Sequence, residues 1–79
     1  MDLRHLQCFV AVAEERSLTG AARRLRHTPE QVSTDIISLE GDLGVELLER
    51  PQEHGVLTAA GHRFLDRARA MLRLAEASA

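Results

Sequence analysis

Apolar residues recur at helical spacing in several stretches of this chain. Leu3, Leu6, Phe9, Val10 and Ala13 form one stripe, which predicts a first helix over residues 2–15. Asp2 sits where a helix N-terminus favours an acid. After the polar run Glu14–Arg16, Leu18, Ala21, Ala22 and Leu25 predict a second, shorter helix over 17–25, which Ser17 or Thr19 can cap. Ala21 and Ala22 are small enough for another helix to cross closely, as a helix-turn-helix requires.

Thr28 to Glu40 carries the fullest helix-start signal in the chain. Thr28 is an N-cap residue, and Pro29 falls at the first helical position, where a missing N–H costs nothing. Gln31, three residues after the cap, can reach back to the Thr28 amide and complete a capping box. Val32, Ile36 and Leu39 then define an apolar face. Glu30, Gln31, Ser33, Thr34, Asp35 and Ser38 define a hydrogen-bonding one. Gly44 suits the position just past the helix end. From Leu18 to Leu39 the chain therefore spells helix, short turn at Arg26-His27, helix.

Residues 45–50 and 56–58 read as two short strands around the turn Pro51-Gln52-Glu53-His54-Gly55, a small β-hairpin. Thr58 then caps a last helix running from about Ala59 towards Glu76. Its stripe is Phe64, Leu65, Ala68, Met71, Leu72 and Ala75. The stripe is longer than a small domain needs to cover its own core, so it is predicted to pair with a second copy, its N-terminal end packing on the first helix. The fold class that results is mainly α: a winged helix-turn-helix with a three-helix core, a hairpin wing and a long C-terminal helix. It divides into residues 1–58 and a linker and dimerisation helix at 59–79.

Composition sharpens this picture. At 79 residues and 44% hydrophobic, the chain is one small domain, or one piece of a longer chain, with ample core material. Aromatics are only 3%, so the core must come from Leu, Val, Ile and Ala, which suits helices. All ten basic residues are arginine, the ordinary outcome of GC-rich coding DNA. The net charge of −2 argues against a free-standing nucleic-acid binder, since phosphate neutralisation supplies much of such affinity. Cys8 is the one cysteine, so no intrachain disulfide is possible, and a buried inert thiol is expected. No signal-peptide pattern and no membrane-length apolar run is present, which leads to the expectation of a cytoplasmic location.

The order of these features resembles the N-terminal winged helix-turn-helix domain of LysR-type transcriptional regulators, over residues 1 to about 75. Leu3-Arg4-His5-Leu6, Phe9, Val12 and Ala13 resemble the family's opening run. Ser17-Leu18-Thr19, Ala21-Ala22 and Leu25 resemble its Ser-Phe-Thr-x-Ala-Ala-x-x-Leu. Val32-Ser33, Ile36, Leu39-Glu40 and Leu43-Gly44-Val45 resemble the recognition helix and the segment after it. Leu47-Leu48-Glu49-Arg50 is similar to the Leu-Phe-x-Arg strand, and Leu57-Thr58 with Ala60-Gly61 to the linker-helix start. The resemblance implies a bacterial transcription factor that lays helix 29–42 in the major groove of double-stranded DNA, sets its wing beside the phosphates and dimerises through the last helix. Any small-molecule effector is expected only in a C-terminal domain outside this chain. The implied location is the bacterial nucleoid, and no cofactor is implied.

The departures from the family pattern fall where DNA would be touched. Thr28-Pro29-Glu30 stands for the common Ser-Gln-Pro, and Ser33-Thr34-Asp35 for Ser-Arg-Gln, losing a basic residue and gaining an acid. The wing is Gln52-Glu53-His54-Gly55-Val56, where the family is often basic. Base contacts are expected from Glu30, Gln31, Thr34 and Asp35, since carboxylates can accept from cytosine N4. Phosphate contacts are expected from Thr28 and Ser33 beside Pro29, and from Thr19, Arg23, Arg26, Arg50 and, on the wing, His54. The alternative reading is a winged helix that has lost DNA and binds protein instead, as an acidic recognition face and an arginine-free wing would suit. An enzyme is not expected: His5, His27, His54 and His62 are scattered, no catalytic pair of carboxylates or phosphate loop is evident, and no Cys/His metal spacing occurs.

Overall fold

The computed structural model describes residues 1–78 and is built from four helices among them: α1 (Leu3–Glu15), α2 (Leu18–Leu25), α3 (Pro29–Leu43) and α4 (Ala59–Ala77). Each helix starts at a side-chain cap. Asp2 accepts from the Arg4 amide, Ser17 from Gly20, Thr28 from Gln31 and Thr58 from Gly61. These bonds satisfy amides that would otherwise lack partners. The capping box at α3 forms only in its forward half. The Gln31 side chain turns away from the Thr28 amide, and its Nε2 donates to Asp35 Oδ1 at 3.0 Å.

α1 is the central helix and packs against α2, α3 and α4. Phe9 and Val12 from α1, Val32, Ile36 and Leu39 from α3, Leu47 and Leu48 from the following segment and Ala68 from α4 have no accessible surface. The Phe9 and Phe64 rings meet with centroids 5.9 Å apart, tilted by 41°, which docks α4 on the core. This corrects the expectation for the α4 stripe. Ala68 is buried within its own chain and is not available to a partner, and Phe64 spends its ring on Phe9.

The wing is smaller than the expected hairpin. Leu48 and Leu57 form one isolated antiparallel bridge, with Glu49 N donating to Val56 O at 2.7 Å and Thr58 N to Leu47 O at 3.0 Å. Between them Gln52–His54 form a single 3-10 turn. A proline at residue 51 supplies no amide for a longer ladder. Gly55 closes the turn at φ +63°, and a Cβ there would lie 2.7 Å from the backbone between Arg16 and Ser17, so the wing base and the α1–α2 turn touch backbone to backbone.

Candidate nucleic-acid interface

The side of α3 away from the core is set by helical arithmetic. Val32, Ile36 and Leu39 point inward, and Glu30, Thr34, Ile37, Ser38 and Gly41 recur outward at i, i+4, i+7, i+8 and i+11. All five are exposed, as is Gln31. Ile37, at 54% exposed, was not among the expected contact residues. An isoleucine that keeps its side chain in water at the centre of the outward face is the signal that identifies it.

Asp35 does not belong to this face. It is 2% exposed and points at α1, three residues after Val32 and four before Leu39. Arg4 Nε lies 3.3 Å from its Oδ2, Gln31 Nε2 donates to Oδ1, and the Cys8 thiol donates to Oδ2 at 3.4 Å. His5 Nε2 stands 3.7 Å from Oδ1. The expectation that Asp35 reads a base is therefore wrong: its carboxylate is desolvated and already holds several donors. Burial and the Asp35 carboxylate together push the Cys8 thiol up to about 12, so the cysteine is buried and protonated in the free chain. Glu40, 7% exposed, is likewise turned inward. Two of the four acids of α3 are thus buried, and of the two exposed ones Asp42 pairs with the Met1 ammonium at 3.1 Å, which leaves Glu30 as the unpaired acid beside Thr34 and Ile37.

Two further expected contacts are committed elsewhere. Arg50 Nη2 donates to Glu40 Oε1 at 2.6 Å and Nη1 to the Leu48 carbonyl at 2.9 Å, so its guanidinium braces the wing. Ser33 donates its hydroxyl hydrogen to Gln52 Oε1 at 2.6 Å and has none left for a phosphate. Ser33 ties α3 to the wing rather than to a ligand.

The remaining expected residues are available. Thr28 is exposed, and its oxygen takes the Gln31 amide while its O–H stays free to donate. Arg23 and Arg26 are exposed and have no ion-pair partner among the described residues, whereas Arg24 is held by Glu14 at 2.9 Å and Glu15 at 3.3 Å. Thr19 is exposed beside Ser17, their hydroxyls 3.0 Å apart. Pro29, Glu30, Ser33 and Thr34 line a shallow hollow with Leu18, where α2 meets the start of α3. His54 is exposed at the wing turn. Thr28, Arg23, Arg26 and the outward face of α3 come from one helix-turn-helix, and His54 stands apart on the wing.

The structure also brings together three groups that no linear spacing announces. One ligand atom each of Cys8, His27 and Asp35 lies within 4.8 Å of the others. They belong to α1, the α2–α3 turn and α3, so a reading of local Cys/His spacing finds nothing. The arrangement of the helices matches that of known regulators. Residues 3–62 match the family described as bacterial regulatory helix-turn-helix protein, lysR family. The chain is 47% identical over 75 residues to the HTH-type transcriptional regulator TcbR of Pseudomonas sp. (strain P51), covering 95% of this chain and 26% of the relative. It is 50% identical over 72 residues to AlsR of Bacillus subtilis (strain 168), covering 91% and 24%. It thus spans about a quarter of the length of these relatives. The crystal structure of the CbnR DBD–DNA complex superposes with a TM-score of 0.92 at 46% identity, covering 99% of this chain and 90% of that one. With its fold and most of its length in register, the chain belongs to the lysR family of bacterial regulatory helix-turn-helix proteins.

Proposed function

We propose that this chain reads double-stranded DNA in sequence-specific fashion as the DNA-binding part of a longer bacterial transcriptional regulator. The carrying observation is the outward face of α3. It is rigidly seated by Val32, Ile36 and Leu39, offers Glu30, Gln31, Thr34, Ile37 and Ser38 to a groove, and belongs to a helix that buries Asp35 and Glu40 and pairs the exposed Asp42 with the Met1 ammonium at 3.1 Å. An α-helix fits the major groove, and this set supplies donors, acceptors and one apolar contact of the kind a thymine methyl takes. Gln31 keeps its Oε1 and one N–H while Asp35 fixes its other N–H, so the amide is held in one orientation for an adenine edge.

Thr28, Arg23, Arg26 and the Glu30 amide, which the capping of Gln31 leaves free in the first turn of α3, are the proposed phosphate contacts, which set register without reading sequence. Thr19 and His54 lie at the ends of this footprint. Residues 1–58 form the reading unit and 59–79 the linker. α4 dimerises through Leu65, Met71, Leu72 and Ala75, with Leu74, which is 69% exposed, added to the set. A dimer would place two readers on a two-fold-related site. The chain carries no catalysis of its own in this reading. No described helix is long and apolar enough to cross a membrane, and the proposed site of action is the bacterial cytoplasm.

The test is fluorescence anisotropy of the chain against pooled genomic DNA fragments at two salt concentrations. Salt-sensitive binding that selects particular fragments is the expected result. A folded dimer that binds no fragment at low salt would overturn the reading and favour a protein partner.

A further inference from the structure

We propose that Cys8, His27 and Asp35 form a binding site for a transition-metal ion of the Zn2+ class, beneath the start of the recognition helix. One sulfur, one imidazole nitrogen and one carboxylate oxygen are a donor set that Zn2+ accepts, with water completing four-coordination. The three ligand atoms lie within 4.8 Å of one another. A tetrahedral zinc site with bonds of about 2.0–2.3 Å separates its ligands by roughly 3.3–3.7 Å. The groups must therefore close by about 1 Å, a movement that the side chain of His27 in a turn can supply.

The hydrogen-bond network around the three groups is incomplete at His27. Cys8 and Asp35 are buried, and His27 is partly buried. His27 Nδ1 is inaccessible and has no hydrogen-bond partner, a desolvated nitrogen with nothing in return. Asp35 already has the support that metal-bound carboxylates show, with Gln31 Nε2 on Oδ1 and Arg4 Nε beside Oδ2. Binding breaks the Cys8 S–H bond and forms a sulfur–metal bond, and the proton leaves to solvent. The metal then sits where the thiol proton bridged Sγ to Asp35 Oδ2. One thiolate and one carboxylate balance the two positive charges of the ion, so the buried complex is itself neutral, one positive charge above the free site with its protonated thiol. The ion would clamp α1, the α2–α3 turn and α3 together, fixing the start of the reading helix on its scaffold. The site stands on this chain's core residues and does not depend on DNA being the ligand of the outer face.

The experiment is a titration of the reduced 79-residue chain with Co2+ and then Zn2+, followed by absorbance and thermal melting. Expected are one Co2+ per chain, a thiolate-to-cobalt charge-transfer band, tetrahedral visible bands that Zn2+ abolishes, and a melting temperature that rises with Zn2+. Cys8→Ser should remove the charge-transfer band, and His27→Gln should weaken binding by more than about 100-fold. His62→Gln, on the exposed side of α4, should change neither. Circular dichroism checks that each variant is folded. If Cys8→Ser fails to fold, His27→Gln carries the test, since that side chain lies in a turn. A folded wild-type chain that shows no charge-transfer band overturns the proposal. So does a band whose affinity His27→Gln leaves unchanged.

Discussion

Arg50 Nη2 lies 2.6 Å from Glu40 Oε1, and the other oxygen of that carboxylate accepts the Leu47 and Leu48 amides at 2.7 and 3.2 Å. One buried side chain from α3 therefore gathers the segment that leads into the wing. Burial pulls the Glu40 carboxyl up, but Arg50 and the two amides outweigh it, leaving the group below the ordinary glutamate value. Glu40→Ala would leave two buried amides without an acceptor. The expected loss is roughly 1–3 kcal/mol in urea unfolding, because the half-exposed Arg50 can return to water while the amides cannot.

The same pair sets a pH dependence. A carboxylate with a depressed folded-state pKa contributes its stability above the unfolded value of about 4.3 and loses it as pH falls through the folded value. Glu14 adds to this with the same sign, because Arg24 and then Arg69 hold it below the ordinary range. Stability should therefore fall steeply as pH drops below about 4.3. Glu40→Gln should be less stable at neutral pH and show a shallower acid limb. Parallel pH–stability curves for the two proteins would contradict this assignment.

Two glycines are fixed by contact rather than by flexibility. Gly61, in the first turn of α4, has no room for a Cβ, which would drive into the Leu47 carbonyl oxygen. Gly55 combines a left-handed backbone with a close approach to Arg16 and Ser17. Gly61→Ala should cost at least about 1–3 kcal/mol by overpacking and lift α4 from the core. Gly55→Ala should cost roughly 1–2 kcal/mol for its backbone alone, with the overlap adding more. At Gly41, by contrast, an added Cβ would meet nothing within 4 Å, so alanine there should leave the melting temperature unchanged or raise it.

The helix starts were readable because caps are local: Ser17, Thr28 and Thr58 each act on an amide three residues ahead. The inward turn of Asp35 was also implicit in spacing, since it lies at i+3 from Val32 and i+4 to Leu39. Its polar identity pointed the other way, and the partners that make burial tolerable come from α1, 27 residues away in the case of Cys8. Arg50 likewise looked like a phosphate contact until Glu40, ten residues earlier, claimed it. The net charge of −2 was an incomplete guide for the same reason. It counts Asp35 and Glu40 as if they faced solvent, whereas of the acids of α3 only Glu30 and Asp42 are exposed, and Asp42 is matched by the Met1 ammonium. The wing was overestimated because strand patterning in residues 45–50 reports two side chains, Leu47 and Leu48, buried consecutively in the core.

The C-terminal helix offers a test that separates folding from association. Leu74 is 69% exposed, while Ala68 has no accessible surface. Leu74→Glu should leave the helical circular dichroism and melting profile of the chain nearly intact and shift sedimentation towards the monomer. Ala68→Glu should unfold the domain instead, since it puts a charge into the core against α1. If Leu74→Glu leaves the sedimentation of a dimer unchanged, α4 does not associate through this flank.

Arginine bookkeeping predicts the salt response of DNA binding. Arg4, Arg24, Arg50 and Arg69 are held by acids of their own chain. Arg23 and Arg26 are free of such partners among the described residues, and both lie at the helix-turn-helix. Each phosphate neutralised on duplex DNA contributes about 0.9 to the slope of log affinity against log salt. Arg23→Ala removes one contact from each protomer, so a dimer should lose about 1.8 from that slope, with affinity falling alike for specific and nonspecific DNA. Thr34→Ala and Ile37→Ala should behave oppositely, leaving the slope unchanged and relaxing the preference for the selected fragment by roughly 1–3 kcal/mol for a lost base contact. Arg24→Ala, whose guanidinium is occupied by Glu14 and Glu15, should leave the slope where it was. A slope that responds equally to Arg23→Ala and Arg24→Ala would show that those ion pairs open on DNA and that the free arginines are not the ones that set the footprint.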